Sequence, residues 1–222
     1  MEISVLGIGW LTHAGYGRIR SGLRQAYGSG EGTHSLPKKG ILLHPVKNFG
    51  RLDAASRLTV AAVSLALQDA GIEHAPAQKQ DIGIIGTNDE GSLRSDLEYF
   101  RDYVGGGRTL SRGNLFIYTL PSSPVGEAAI HFGLQGPLLY AADERGSLAP
   151  VLDTAAEMIL CSETPVMLAG KVRDNEAVYL VLAGYAGRAV LCDVSAARSI
   201  VETTPDVAGM VQKFSRLQTR KA

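Results

Sequence analysis

The chain has 222 residues, with 22 basic and 22 acidic side chains and a formal charge of zero. That balance gives no electrostatic bias toward nucleic acid or an anionic membrane, and the length suffices to bury a sizeable core. Glycine is abundant at 26 and aromatics scarce at 6%, which favours an α/β protein with tight strand–helix turns over an all-β sandwich. Cys161 and Cys192 are too few for a disulfide framework and badly spaced for zinc, so the expectation is a reducing cytoplasm and no metal. The opening MEISVLGIGW has an acid and no basic region, unlike a signal peptide. No apolar run approaches the roughly 18 residues of a membrane span.

In chain order, EISVLGI (2–8) is β-branched and apolar, the pattern of a buried strand. Residues 28–50 show no period and predict a long loop. DAASRLTVAAVSLALQDAG (53–71) predicts the clearest helix, with Asp53 as N-cap, a broad apolar stripe, and Gly71 just past its end. IGIIG (82–86) predicts a strand covered on both faces. SLRSDLEYFRDYV (92–104) predicts an amphipathic helix capped by Ser92, and GGGR a break after it. SSPVGEAAIHFGL (122–134) predicts a helix starting at Ser122 or Ser123 with Pro124 in its first turn. LLYAA (138–142) predicts a strand and SLAPVLDTAAEMIL (147–160) a helix whose first turn tolerates Pro150. PVMLAG (165–170), AVYLVLAG (177–184) and GRAVLCDV (187–194) predict three strands, the last two joined as a hairpin through Gly184-Tyr185-Ala186-Gly187. Helices alternating with buried strands predict a mixed sheet sandwiched by helices. Residues 1–200 are expected as one domain. Residues 201–222 are expected as a polar C-terminal tail, either a terminal helix or partly disordered.

Several segments carry a resemblance. ISVLGIGWLTHAGYG, GRLDAASRLTVAAVSLALQDAGI, IGIIGTNDEGSL, LPSSPVGEAAIHFGLQGP and the helix from Ser147 occur in the order found in β-ketoacyl-acyl-carrier-protein synthases. Singly they are weak; as a series over roughly residues 2–170 they are specific. The chain resembles the N-terminal half of a ketosynthase, which implies a thiolase-like half-fold.

The departures decide the chemistry. In the condensing enzymes the Gly-Pro turn leads through a strand to a nucleophilic Cys eight positions beyond the Pro. Eight positions beyond Pro137 stands Arg145, and no slip of one or two residues finds a cysteine. The family's two catalytic histidines belong to a second half that these residues do not contain. Condensation needs a thiolate to hold the acyl chain and donors for the charge of decarboxylation. A guanidinium stays protonated and cannot be that nucleophile, and a cation at a helix N-terminus works against the dipole. The turn Arg145-Gly146-Ser147 therefore suits recognition of a carboxylate or phosphate better than covalent catalysis.

Other residues carry a bland and a sharp explanation. Ser147 either caps its helix or serves as nucleophile for acyl transfer or thioester hydrolysis, and no histidine is close to it in sequence. Cys161 and Cys192 are expected as small hydrophobes. His131 is expected in a structural or surface role; His13, His34, His44 and His74 show no metal-ligand spacing. The glycines at 7, 9, 15 and 17 suggest a dinucleotide loop, but Thr12 breaks the fingerprint, so no cofactor is expected. Arg18, Arg20 and Arg24 recur near helical spacing and, with Lys38, Lys39, Lys47 and Arg51, form either a solvated face or a surface for an acidic carrier protein.

A lone half implies an apolar helix face that the second half would cover, hence partnership as a homodimer or a heterodimer with a ketosynthase. The resemblance implies a non-condensing protein of fatty-acid, polyketide or aryl-polyene synthesis that pairs with a synthase or binds its acyl-carrier protein. Acyl transfer or thioester hydrolysis through Ser147, and small-anion binding at Arg145, are the alternatives.

Overall fold

A computed structural model describes residues 2–75, 77–109, 112–143, 146–184 and 189–219. Its centre is β1 (Ile3–Thr12), buried at every position. Five further strands extend the sheet: β2 (Gly15–Arg18), β3 (Arg24–Ala26), β4 (Ile82–Thr87), β5 (Leu138–Tyr140) and β6 (Val166–Arg173). With β7 (Glu176–Gly184) they run in the order β3-β2-β1-β7-β6-β4-β5, while β8 (Cys192–Asp193) pairs with β1 beyond the end of β2. β4 is parallel to β5 and β6; the other pairs are antiparallel, so the sheet is mixed.

One face carries α1 (Ala54–Ala70) and α4 (Ser123–Phe132). α1 follows the sequence expectation at both ends. The Asp53 carboxylate accepts from the Ser56 amide at 2.8 Å, and Gly71 turns the chain with φ 68°. Gly7 and Gly9 let β1 lie against the backbone of α1, where any Cβ would overlap it. They serve close helix–strand packing. Near the C-terminal end of α1, the buried Asp69 carboxylate accepts from the amides of Ile8, Arg20 and Ser21 at 2.9, 2.8 and 2.9 Å. It thereby ties β1 to the β2–β3 turn. Fully buried Tyr179 of β7 lies against Gly170, with its hydroxyl toward Gly86.

The other face carries α5 (Leu148–Leu160), α6 (Val194–Glu202) and α7 (Val207–Thr219). On this side of the sheet the expected bare helix face is not found. The apolar side of α5 is buried, and α6 and α7 complete the layer. Val207, Met210, Val211 and Phe214 are each at most 4% exposed, in one cluster with Val5, Ile8 and Trp10. Position 201, where the tail was expected to start, falls inside α6; residues 220–222 lie outside the described residues.

Two further corrections concern strands. β7 and β8 do not form a hairpin, because β1 lies between them, paired with both; residues 185–187 of the expected turn lie outside the described residues. The hairpin partner of β7 is instead β6, joined to it through Asp174 and Asn175, with Asp174 at φ 43°. Arg18, Arg20 and Arg24 belong to β2, a turn and β3 rather than a helix, and each is engaged. Arg18 reaches Gln68, Arg20 the Ala189 carbonyl, and Arg24 the Ser215 hydroxyl and the Trp10 ring.

Candidate functional site

The strand-to-helix turn from β5 to α5 lies at the C-terminal margin of the parallel strands, where open α/β sheets present ligands. Glu144 and Arg145 fall outside the described residues, so the Arg145 expectation has no geometry attached. Its neighbours do. Gly146 is buried with φ 54°, and a Cβ there would overlap the Asp89 carboxylate, so the turn depends on glycine. The Ser147 amide donates to Asp143 Oδ2 at 2.8 Å, and the Ser147 hydroxyl accepts from the Ala149 amide at 3.4 Å. Ser147 therefore sits as the N-cap of α5.

Asp89 joins this turn to the end of β6, where Arg173 Nε lies 2.8 Å from its carboxylate. Lys171, paired in register with Thr87, is 2% exposed and donates to the Pro205 carbonyl at 3.2 Å. Burial holds its amine below the ordinary lysine range, partly countered by the Asp89 charge. The Tyr140 hydroxyl donates to Asn88 Oδ1 at 3.0 Å, and burial pushes its pKa up. Sequence reasoning missed Lys171; the signal was a lysine within an otherwise apolar strand.

Neither cysteine reaches this turn through α5. Cys161 caps the opposite end of that helix, about 20 Å away at 1.5 Å per residue, and is exposed. Cys192 is buried in β8. His44, His74 and His131 gather instead at a small pocket on the α1/α4 face, beside Phe132. His131 lies 3.4 Å from Glu127 one helical turn away, and burial lowers its pKa. Burial likewise lowers that of His74, whose ring packs edge-on against Phe132. Among the described residues, no group of three His, Cys, Asp or Glu side chains could hold a metal ion. No described helix is long and apolar enough to cross a membrane.

A cleft of about 510 Å³ opens beside Asp89. The first residues of α1, of α2 (Leu93–Gly105) and of α4 border it, together with the ends of β4 and β6 and the short helix α3 (Gly113–Phe116). Ser92 precedes α2 as expected, but its hydroxyl donates to Asp96 rather than accepting from the backbone. No α2 side chain is buried: Leu93, Leu97, Phe100 and Val104 form one stripe, exposed by 55, 45, 60 and 42%. Phe116, Ile117 and Leu120, each more than half exposed, follow in the next segment.

Residues 43–193 match the family model for the beta-ketoacyl synthase N-terminal domain. The chain is 31% identical over 124 residues to the tetracenomycin polyketide synthase ketoacyl synthase alpha subunit of Streptomyces glaucescens, covering 53% of this chain and 29% of that protein. It is 27% identical over 135 residues to a putative polyketide beta-ketoacyl synthase 2 of Streptomyces virginiae, covering 60% and 33%. The matched region thus spans about a third of these curated relatives. The fold is similar to that of the ishigamide ketosynthase/chain length factor, with a TM-score of 0.65, 17% identity and coverage of 87% of this chain and 65% of that one. It also resembles a ketosynthase in complex with its chain length factor from Xenorhabdus doucetiae, with a TM-score of 0.56, 15% identity and coverage of 84% and 81%.

Proposed function

The chain belongs to the beta-ketoacyl synthase N-terminal domain family, and from that premise we propose that it is a non-condensing partner subunit that pairs with a ketosynthase in polyketide or related acyl-chain synthesis. The observation that carries this is the apolar stripe of α2, extended by Phe116, Ile117 and Leu120. Four apolar side chains spaced four, three and four apart form a seam suited to another protein surface. Ile130 on α4, 71% exposed, and Leu138 on the edge strand β5 add to the uncovered apolar area.

Two further facts support the reading. The sequence from Pro137 to Ser147 offers no thiol, and Ser147 is occupied as a helix cap. Similar folds include a ketosynthase bound to its chain length factor and a type II polyketide acyl-carrier protein in complex with its ketosynthase. A carrier protein is accordingly the second expected partner. Acyl transfer through Ser147 has less support, because no histidine appears among its hydrogen-bond partners in the described residues.

The test is sedimentation of the purified chain, alone and mixed with a ketosynthase encoded beside its gene. A stable complex is expected, weakened about tenfold or more by Phe100→Asp without loss of melting temperature. A chain that stays monomeric and binds no synthase, or that alone condenses acyl and malonyl thioesters, would refute the proposal.

A further inference from the structure

Three histidines meet where residues 42–46 cross the α1/α4 face, and pairing with a synthase gives them no task. Ile41 and Phe49, 1% and 5% exposed, anchor this strap on either side. The Ile41 carbonyl accepts from Ser64 Oγ at 2.8 Å and from Gln68 Nε2 at 2.7 Å. Between the anchors the strap is lightly held. Leu42 and Val46 are half-buried, while Leu43, His44 and Pro45 are exposed. His74, His131 and Phe132 line the small pocket that the strap covers.

His74 is the buried member, 4% exposed, with ring centres 5.1 Å from Phe132 and 6.3 Å from His44, both edge-on. Its Nδ1 lies 3.2 Å from the Ile72 carbonyl, a contact that needs the proton on Nδ1. Its Nε2 is buried with no partner among the described residues. A neutral ring tolerates that, but a second proton would place a charged N–H there with nothing to accept it. The strap adds His44, itself a cation once protonated, and that charge opposes a proton on His74. α4 adds His131, which has Glu127 at 3.4 Å to balance it. Glu73 and Lys47, neighbours in sequence, are exposed. We propose that His74 is an acid-sensitive latch: the neutral ring holds strap 42–46 down, and uptake of one proton releases the strap while the rest of the fold stays closed. The ring must leave the pocket to hydrate its new N–H, and His44, set edge-on to it, gives way. Above the ordinary 6.5 the latch is shut. Below it the open form takes the proton first, and the balance shifts toward opening by up to about tenfold per pH unit. The inference does not depend on pairing with a synthase.

The test is amide hydrogen exchange of the full chain at about pH 7.5 and about pH 5, corrected for intrinsic rates. The Leu42 amide, bonded to the Lys38 carbonyl, and the Phe49 amide, bonded to that of Val46, report on the strap; the amides of α5 report on the rest. At the lower pH the strap amides should lose protection about fivefold or more, and those of α5 less than about twofold. His74→Phe keeps a ring against Phe132 but takes no proton, and should abolish the strap response. His44→Gln should reduce it without abolishing it, since burial is the larger influence on His74. Should His74→Phe melt early, proton resonances of the native chain decide: the His74 ring and the two strap amides must share one midpoint below 6.5. A strap response absent from the native chain or unchanged in folded His74→Phe, an equal loss of protection in α5, or separate midpoints would each overturn the assignment.

Discussion

Phe214→Ala tests whether this half-fold covers its own second face. Phe214 is 0% exposed and packs in one cluster with Ile8, Trp10 and Met210. Truncating a buried phenylalanine costs about 3–5 kcal/mol, from lost transfer free energy and the cavity left behind. In a chain of this length each kcal/mol moves the melting midpoint by about 2–4 °C, so a fall of about 6–20 °C is expected. Gln212→Ala, on the exposed side of the same helix, should change stability by less than about 0.5 kcal/mol. Thermal unfolding followed by circular dichroism measures both. A Phe214→Ala midpoint within about 2 °C of the Gln212→Ala midpoint would mean that α7 is not docked in solution. The face over β1 would then be open, and an external partner would have to supply its cover.

Asp69→Ala should destabilise by about 2–5 kcal/mol in urea unfolding, since three backbone amides lose their acceptor and the Ile8 amide is fully buried. A loss below about 0.5 kcal/mol would show that water replaces the carboxylate freely. Stability should also fall with acid. Burial lowers the pKa of His74 and of His131 below the ordinary 6.5, with His44 adding to the effect on His74 and Glu127 opposing it for His131. The unfolded chain therefore binds the extra protons first: the contribution is full above 6.5 and lost as pH falls through the lowered folded values. Midpoints measured from about pH 7.5 to about pH 5 should drop, less steeply in His74→Gln; parallel slopes would refute the role of His74.

Much of the fold was legible because its signals are local. α1 announces itself through Asp53, its stripe and Gly71, and α5 through the Ser147 cap, all within a few residues. What failed was long-range pairing. Gly184 to Gly187 has turn composition, yet nothing nearby says that β1 will come between β7 and β8. The true turn at Asp174-Asn175 sits at the middle of a four-residue polar break, Arg173 to Glu176, between apolar runs and could have been found. A terminal helix was one of two readings of the tail, but its polar composition masked that α7 packs into the core, although 207, 210, 211 and 214 repeat at helical spacing. The turn at Ser147 could be located from sequence. The cleft could not, because Arg57, Asp89, Leu115 and Arg173 come from four separate segments that only the topology assembles.

The packing of Tyr179 restricts how this sheet can change over time. A methyl on Gly170 would collide with the phenol ring, one on Gly86 would crowd its oxygen, and a smaller side chain at 179 would leave a void beside two residues with nothing to extend into it. The three positions share one volume. Descendants of this sequence can keep the trio or exchange all of it in concert, and single replacements lead through a less stable protein.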